Sequence, residues 1–232
     1  MHPGVVATLA ASSVLMLGAT PTGAPPLPAR MADTGGGTQL ITAVAPRTGA
    51  TTGTVTWWDL SDGRWVKAGS AAARFGANGL AEGASRKQGT NTTPTGLYGL
   101  PYAFGIKAAP RGTTYKYRPV NRNSYWCQDN DSRSYNRWTE PLAADCRAAQ
   151  SERLISYTAQ YAHALVVDFN YGRPVRGRGA GIFLHVNGRG ATAGCVSVPA
   201  DAMRRILQWA DPGRTPHLAI GTTSGPTAIT RY

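Results

Sequence analysis

Apolar positions in this chain alternate more often than they recur at helical spacing, and that periodicity sets the first picture of the fold. "TQLITAVA" (Thr38 to Ala45) reads as a first strand. "TGTVTWWDLSDGRWVKAG" carries alternating apolar residues on either side of Asp62-Gly63, the signature of a tight hairpin. "TNTTPTGLYGLPYAFGI" (Thr90 to Ile106) is a turn running into aromatic strand material. Later strands are expected at "ALVVDFNY" (Ala164 to Tyr171), "GIFLHV" (Gly181 to Val186), "GCVSV" (Gly194 to Val198) and "HLAIGT" (His217 to Thr222). One segment has helical spacing: "PADAMRRILQWA" (Pro199 to Ala210), with apolar Met203, Ile206, Leu207 and Ala210 behind an initial proline. "SERLISY" (Ser151 to Tyr157) begins with a capping serine and predicts a short helix. The stretch from about 110 to 150 reads as loop, and the Pro/Gly-rich residues 20–37 as a linker. The pattern predicts one mostly-β domain with a few helices over residues 38–232, without internal repeats.

Composition sharpens this. The 232 residues are 42% hydrophobic and only 16% charged, with 28 Gly and 16 Pro, which suits a turn-rich, strand-rich globular fold. The net charge of +12 fits an anionic partner, nucleic acid or an anionic extracellular surface, and equally a solvated basic surface with no specific partner. The basic residues are scattered single arginines, with no run of five and no zinc-finger spacing, so nucleic acid is not expected. "VVATLAASSVLMLGA" (Val5 to Ala19) is an apolar run of signal-peptide length, too short to span a bilayer securely. "LGA" at Leu17 to Ala19 fits a small-x-small cleavage site, although no Lys or Arg precedes the run. Residues 1–37 are therefore read as signal peptide and linker. The mature protein is expected to be exported, without membrane insertion, as a monomer.

The three cysteines are Cys127, Cys146 and Cys195. In an exported protein they make one disulfide and an odd thiol, or three free thiols. Cys127 and Cys146 bracket a polar, aromatic loop, and a bridge there would constrain the unfolded chain by about 3 kcal/mol. That pairing isolates Cys195. A thiol needs help to react near neutral pH, and an imidazole supplies it as base or as ion-pair partner. His185 ends the apolar run ten residues upstream, and a hairpin or split-strand return through "VNGRGATAG" would bring the two together. Alternation puts Leu184 and Val186 on one face and His185 on the other. Gly194 permits close backbone approach beside the thiol, where amides can meet a developing oxyanion. A hydrogen-bonded core histidine and an inert buried cysteine fit the same spacing.

"IFLHVNGRGATAGCVSVP" resembles the signature of the L,D-transpeptidase catalytic domain (YkuD-like), a His followed by Ser/Thr-x-Gly-Cys, here His185, Thr192, Ala193, Gly194 and Cys195. "TPTG" (Thr93 to Gly96), which opens a strand in these domains, is the second shared feature, and the likeness is greatest to a secreted actinobacterial type. The resemblance implies a mixed β-sandwich enzyme of the cell wall, without metal or organic cofactor, acting on peptidoglycan stem peptides. It implies that Cys195 attacks the carbonyl of the third stem residue and releases a terminal D-residue, that a thioester forms, and that an amine resolves it into a cross-link. His185 would act as general base and acid, with a backbone carbonyl orienting it. Three departures bear on the acceptor: the His-to-Cys turn is short, Ser197 stands where many members carry Arg, and Gly89-Thr90 stands where Gly-Asp is common.

Around this pair, Trp126, Tyr135, Asn136 and Trp138 are candidates for a wall against the stem peptide or for a small core of their own loop. Arg189, inside the turn, is the favoured substrate-carboxylate contact among Arg173, Arg176, Arg178 and Arg189. Thr192 is a hydroxyl donor or a turn residue. His163 and His217 lack partners at metal-ligand spacing, so no metal is expected. Three functions stay in view: the cysteine acyltransferase, a thiol hydrolase on the same substrate (an L,D-carboxypeptidase or amidase), and a non-catalytic basic cell-wall binding domain.

Overall fold

The structure is a computed structural model. It describes Met1 and residues 23–232, so the apolar run Val5 to Ala19 lies outside the described residues. The strands are β1 (Gln39–Ala45), β2 (Thr52–Ser61), β3 (Arg64–Arg74), β4 (Leu80–Glu82), β5 (Thr93–Gly99), β6 (Ala103–Gly105), β7 (Tyr117–Pro119), β8 (Tyr125–Cys127), β9 (Arg137–Thr139), β10 (Ser151–Arg153), β11 (Ala164–Val166), β12 (Phe183–Val186), β13 (Val196–Val198) and β14 (His217–Thr222). The α-helix α1 spans Ala200–Trp209. Eleven strands run in the order β4-β5-β14-β1-β2-β3-β13-β12-β11-β6-β7, and β10-β8-β9 form a separate small sheet.

The large sheet folds over on itself as a β-sandwich. β13 meets β3 through one residue pair, Ser197 with Arg74, and this narrow join divides the sheet into two halves. One core serves both: Ile41 and Val55 from the first half meet Leu165, Leu184 and Val196 from the second. Helix α1 adds Met203, Ile206 and Leu207, its predicted apolar stripe. The hairpin β2–β3 turns at Asp62-Gly63, where both residues have positive φ (49° and 73°), the geometry a two-residue turn between twisted strands requires.

The structure differs from the sequence reading at four places. "SERLISY" is not a Ser-capped helix. Ser151–Arg153 is strand β10 paired with β8, followed by a single 3-10 turn, Leu154–Ser156. The Ser151 hydroxyl donates back to the Arg147 carbonyl at 2.9 Å, so it caps nothing downstream. The expected disulfide explains why: Cys127–Cys146, with Cα atoms 6.2 Å apart, lays the chain after Cys146 along the strand that ends at Cys127. The polar middle loop therefore contains a three-stranded sheet, fastened further by the buried Asp129, which accepts from the Arg147 backbone N–H at 3.0 Å and Nε at 2.7 Å. The strand expected over Ala164 to Tyr171 stops at Val166, because the Asp168 carboxylate accepts from Gly99 N–H and Asn170 turns at positive φ. Lastly, Leu27–Arg30, in the segment read as linker, forms a 3-10 turn, and the chain after it docks on the C-terminus through Ala32 N–H to Thr230 O and Asp33 N–H to Tyr232 O.

Candidate active site

His185 and Cys195 meet because β12 and β13 are neighbours, and they are parallel: Leu184 pairs with Val196 and His185 with Ser197. A hairpin is thereby ruled out. The short connection loops outward and returns in the same direction, held by Thr192 bridging Gly76 and by Arg74, whose guanidinium donates to Gly188 O at 2.7 Å. Alternation does the rest. Leu184, Val186, Val196 and Val198 face the main core, while Phe183 and Cys195 belong to a second cluster on the opposite face, the face His185 shares.

The Cys195 thiol is 8% exposed. Its S–H points to Gly181 O at 3.4 Å, and its sulfur accepts from Phe183 N–H at 3.4 Å. Two hydroxyls, Thr192 at 2.7 Å and Thr93 at 3.3 Å, donate to the Cys195 carbonyl and fix the backbone there. Thr93 is the first residue of "TPTG", so the two sequence signatures meet in one hydrogen-bond set. Gly194 has φ +143°, and a Cβ there would lie 2.8 Å from the Arg86 guanidinium and 3.0 Å from Thr92 O, so a larger residue before Cys195 would be strained.

The His185 ring touches Tyr161 edge to face at 5.5 Å, and its Nδ1 is 2.7 Å from Val186 O. A carbonyl only accepts, so Nδ1 carries the proton and Nε2 bears the lone pair. The orienting group is thus the carbonyl of the next residue. Burial lowers the His185 pKa to about 4, against the opposing effect of the Val186 carbonyl. Burial also raises the Cys195 thiol to about 12; the Glu152 carboxylate adds to this, while Phe183 N–H and Arg86 oppose it. The resting pair is therefore thiol and neutral imidazole, not thiolate and imidazolium.

Two cavities meet at Cys195. One, about 210 Å³, is lined by His185, Tyr157, Tyr161, Glu152 and the turn from Gly188 to Ala193. The other, about 130 Å³, is lined by Arg86, Gln88, Gln128, Gly181, Gly194 and again Glu152. A larger open hollow of about 470 Å³ lies against Trp57, Gly69 and Trp209, and neither Cys195 nor His185 lines it. No cluster of metal-ligating side chains occurs among the described residues.

The candidate residues divide by location. Arg189 and Thr192 line the larger cavity, Arg189 exposed and Thr192 tied into its own turn through Gly194 N–H. Trp126, Asn136 and Trp138 line neither cavity. Trp126 is 1% exposed beneath the site, packed on Phe183. Trp138 packs on Phe104 with Arg118 over its ring. Asn136, also buried, accepts from Trp126 Nε1–H and Gly181 N–H, and donates to Phe169 O and Asn170 O. Two residues escaped the sequence reading. Arg86 is buried at 6% exposure, donating to Thr92 O and Arg178 O, with no carboxylate ion-paired to it among the described residues. Glu152 was hidden in a segment read as helix. No motif signals either; only the loop and the small sheet bring them to Cys195.

A family model described as the L,D-transpeptidase catalytic domain (YkuD) matches residues 50–218. Among solved structures, "Structure of Bdellovibrio bacteriovorus Bd1075" is similar at 17% identity and a TM-score of 0.38, over 79% of this chain and 48% of that one. This chain thus spans about half the length of that protein. No curated protein matches.

Proposed function

Because the chain belongs to the L,D-transpeptidase catalytic domain family, we propose that it is a cysteine acyltransferase acting on peptidoglycan stem peptides outside the cytoplasmic membrane. The observation that carries the reading is one shared cavity. Cys195 and His185 lie on one face of adjacent parallel strands, with Nδ1 of the histidine held by Val186 O and its other nitrogen left as acceptor. The Cys127–Cys146 disulfide and the apolar run Val5 to Ala19 support an oxidising, exported setting.

In this reading the substrate's arrival excludes water and Nε2 takes the thiol proton as the sulfur attacks the carbonyl of the third stem residue. Proton transfer and attack are coupled, because neither separated charge is stable in so desolvated a site. The Cys195 amide, entering its strand behind Gly194, stabilises the oxyanion. His185 returns the proton to the leaving amine, a D-residue departs, and a thioester remains. Arg86, a buried guanidinium without a carboxylate partner, holds the departing residue's carboxylate. It replaces the arginine that Ser197 displaces; Ser197 instead donates to Asn187 Oδ1 at 2.8 Å and braces the turn.

Incubation of residues 23–232 with disaccharide-tetrapeptide, read by mass spectrometry, tests this. Cross-linked dimer with free D-Ala is expected. Tripeptide and D-Ala without dimer would make the protein a hydrolase. No product, with wild-type sacculus binding by Cys195→Ala, would make it a binding domain.

A further inference from the structure

The steps above leave the Glu152 carboxyl unused, although it lines both cavities at the nucleophile. It sits on β10 opposite Trp126, so the disulfide-closed small sheet delivers it. Its oxygens accept from the Tyr161 hydroxyl at 2.6 Å and Gln128 Nε2–H at 3.3 Å. Around it stand Tyr157, His185 and Arg189 across the larger cavity, Arg86 across the smaller one, and the Cys195 thiol where they join; Arg153 follows it on its own strand. No Lys or Arg ion-pairs with it among the described residues. It is half-buried. The charge of a carboxylate in such surroundings is stabilised when a cation comes to it. Burial lifts its pKa to about 7, with its two hydrogen bonds opposing.

We infer that Glu152 is the acceptor-side group, binding the ammonium of an incoming amine and taking its proton before attack on the thioester. The inference rests on the acyl-enzyme reading above and narrows it to amine transfer rather than hydrolysis. The ammonium gives one proton to the carboxylate and becomes a free amine. Its nitrogen attacks the thioester carbonyl, forming the C–N bond, and the C–S bond breaks as the tetrahedral intermediate collapses. The second nitrogen proton passes to His185 Nε2 and on to the departing Cys195 thiolate. Glu152 releases its proton to solvent through the cavity. A base titrating near neutrality suits this task, being ionised often enough to act and basic enough to help.

The test follows one thioester along two exits. Enzyme acylated by disaccharide-tetrapeptide is offered cadaverine, and the amide-to-tripeptide ratio is read by mass spectrometry across pH. The ratio is independent of how fast the thioester forms. In the wild type it is expected to level off above about pH 7, where an unassisted amine would keep climbing about tenfold per pH unit toward its own pKa. In Glu152→Gln it is expected to fall by about 10²-fold and to lose the plateau. A wild-type ratio that climbs without levelling, or an unchanged ratio in Glu152→Gln, overturns the assignment; the wild-type arm stands even where the variant misfolds. Failure of the wild type to form any thioester would instead sink the acyltransferase reading itself.

Discussion

Replacing Asn136 by alanine separates a substrate wall from a structural strut. The side chain is 1% exposed and every hydrogen-bonding atom it carries is engaged: Oδ1 accepts from Trp126 Nε1–H and Gly181 N–H, both at 2.9 Å, and Nδ2 donates to Phe169 O and Asn170 O at 3.2 and 2.6 Å. Truncation leaves two buried donors without acceptors, at about 1–3 kcal/mol each. The backbone adds to this, since φ is +56° and alanine loses about 1 kcal/mol there that asparagine largely avoids. A water entering the space recovers part of the loss. The expected cost is about 4 kcal/mol, or about 10 °C in Tm for a domain of this size. Urea unfolding with the disulfide intact, followed by tryptophan fluorescence, measures it as a lower midpoint at constant slope. Activity should fall as well, because Gly181 O is where the Cys195 S–H points. A midpoint within about 1 kcal/mol of wild type, together with a raised KM, would refute the strut and restore Asn136 to the substrate wall.

Three further outcomes are expected. Iodoacetamide should label Cys195 alone, slowly at neutral pH and faster as pH rises past about 9, since burial pushes this thiol up to about 12; a rate already at plateau near pH 6 would mean a preformed thiolate–imidazolium pair. His185, lowered to about 4 by burial, gives the unfolded chain the larger proton uptake between there and the unperturbed value near 6.5. Its contribution is thus present above that window and is lost as pH falls through it, up to about 3 kcal/mol. The raised Glu152 titrates with the opposite sign, so the check is the difference between wild type and His185→Gln; parallel stability curves would contradict it. Arg86→Met should erase a preference of at least about tenfold for a tetrapeptide ending in a free carboxylate over its amide; a preference that survives in the folded variant places that carboxylate elsewhere.

What was legible in the sequence was what local periodicity encodes. The hairpin at Asp62-Gly63, the helix ending at Trp209, the last strand and the opposite facings of Leu184 and His185 all follow from side-chain periodicity over a few residues, about 2 in the strands and about 3.6 in the helix. The thiol beside a histidine was legible from spacing, but the direction of return was not. A hairpin and a parallel return put the same residues on the same face, and only pairing across β12 and β13 distinguishes them. The segment 151–157 failed for a related reason. Three residues of strand carry too little alternation to outweigh a capping serine, and what holds them extended is pairing with β8, a strand the Cys127–Cys146 bridge brings close from far away in sequence.

The same bond explains why the small sheet belongs to the chemistry. Strand β8 places Trp126 under Phe183, the residue whose N–H reaches the Cys195 sulfur, and β10 places Glu152 at the junction of the two cavities. A staple in that loop therefore fixes both the packing beneath Cys195 and the carboxyl that lines its two cavities. The large sheet alone supplies the thiol and the imidazole, both held neutral by burial, on which the proposed attack rests. The charged groups, Arg86 and Glu152, come from outside its strands: one from the loop before β5 and one from the small sheet. Core alternation governs the first pair and no short pattern governs the second. In the proposed reading that division puts reactivity in the sandwich and the choice of substrate ends in the pieces added to it, which is what the Glu152 and Arg86 variants test.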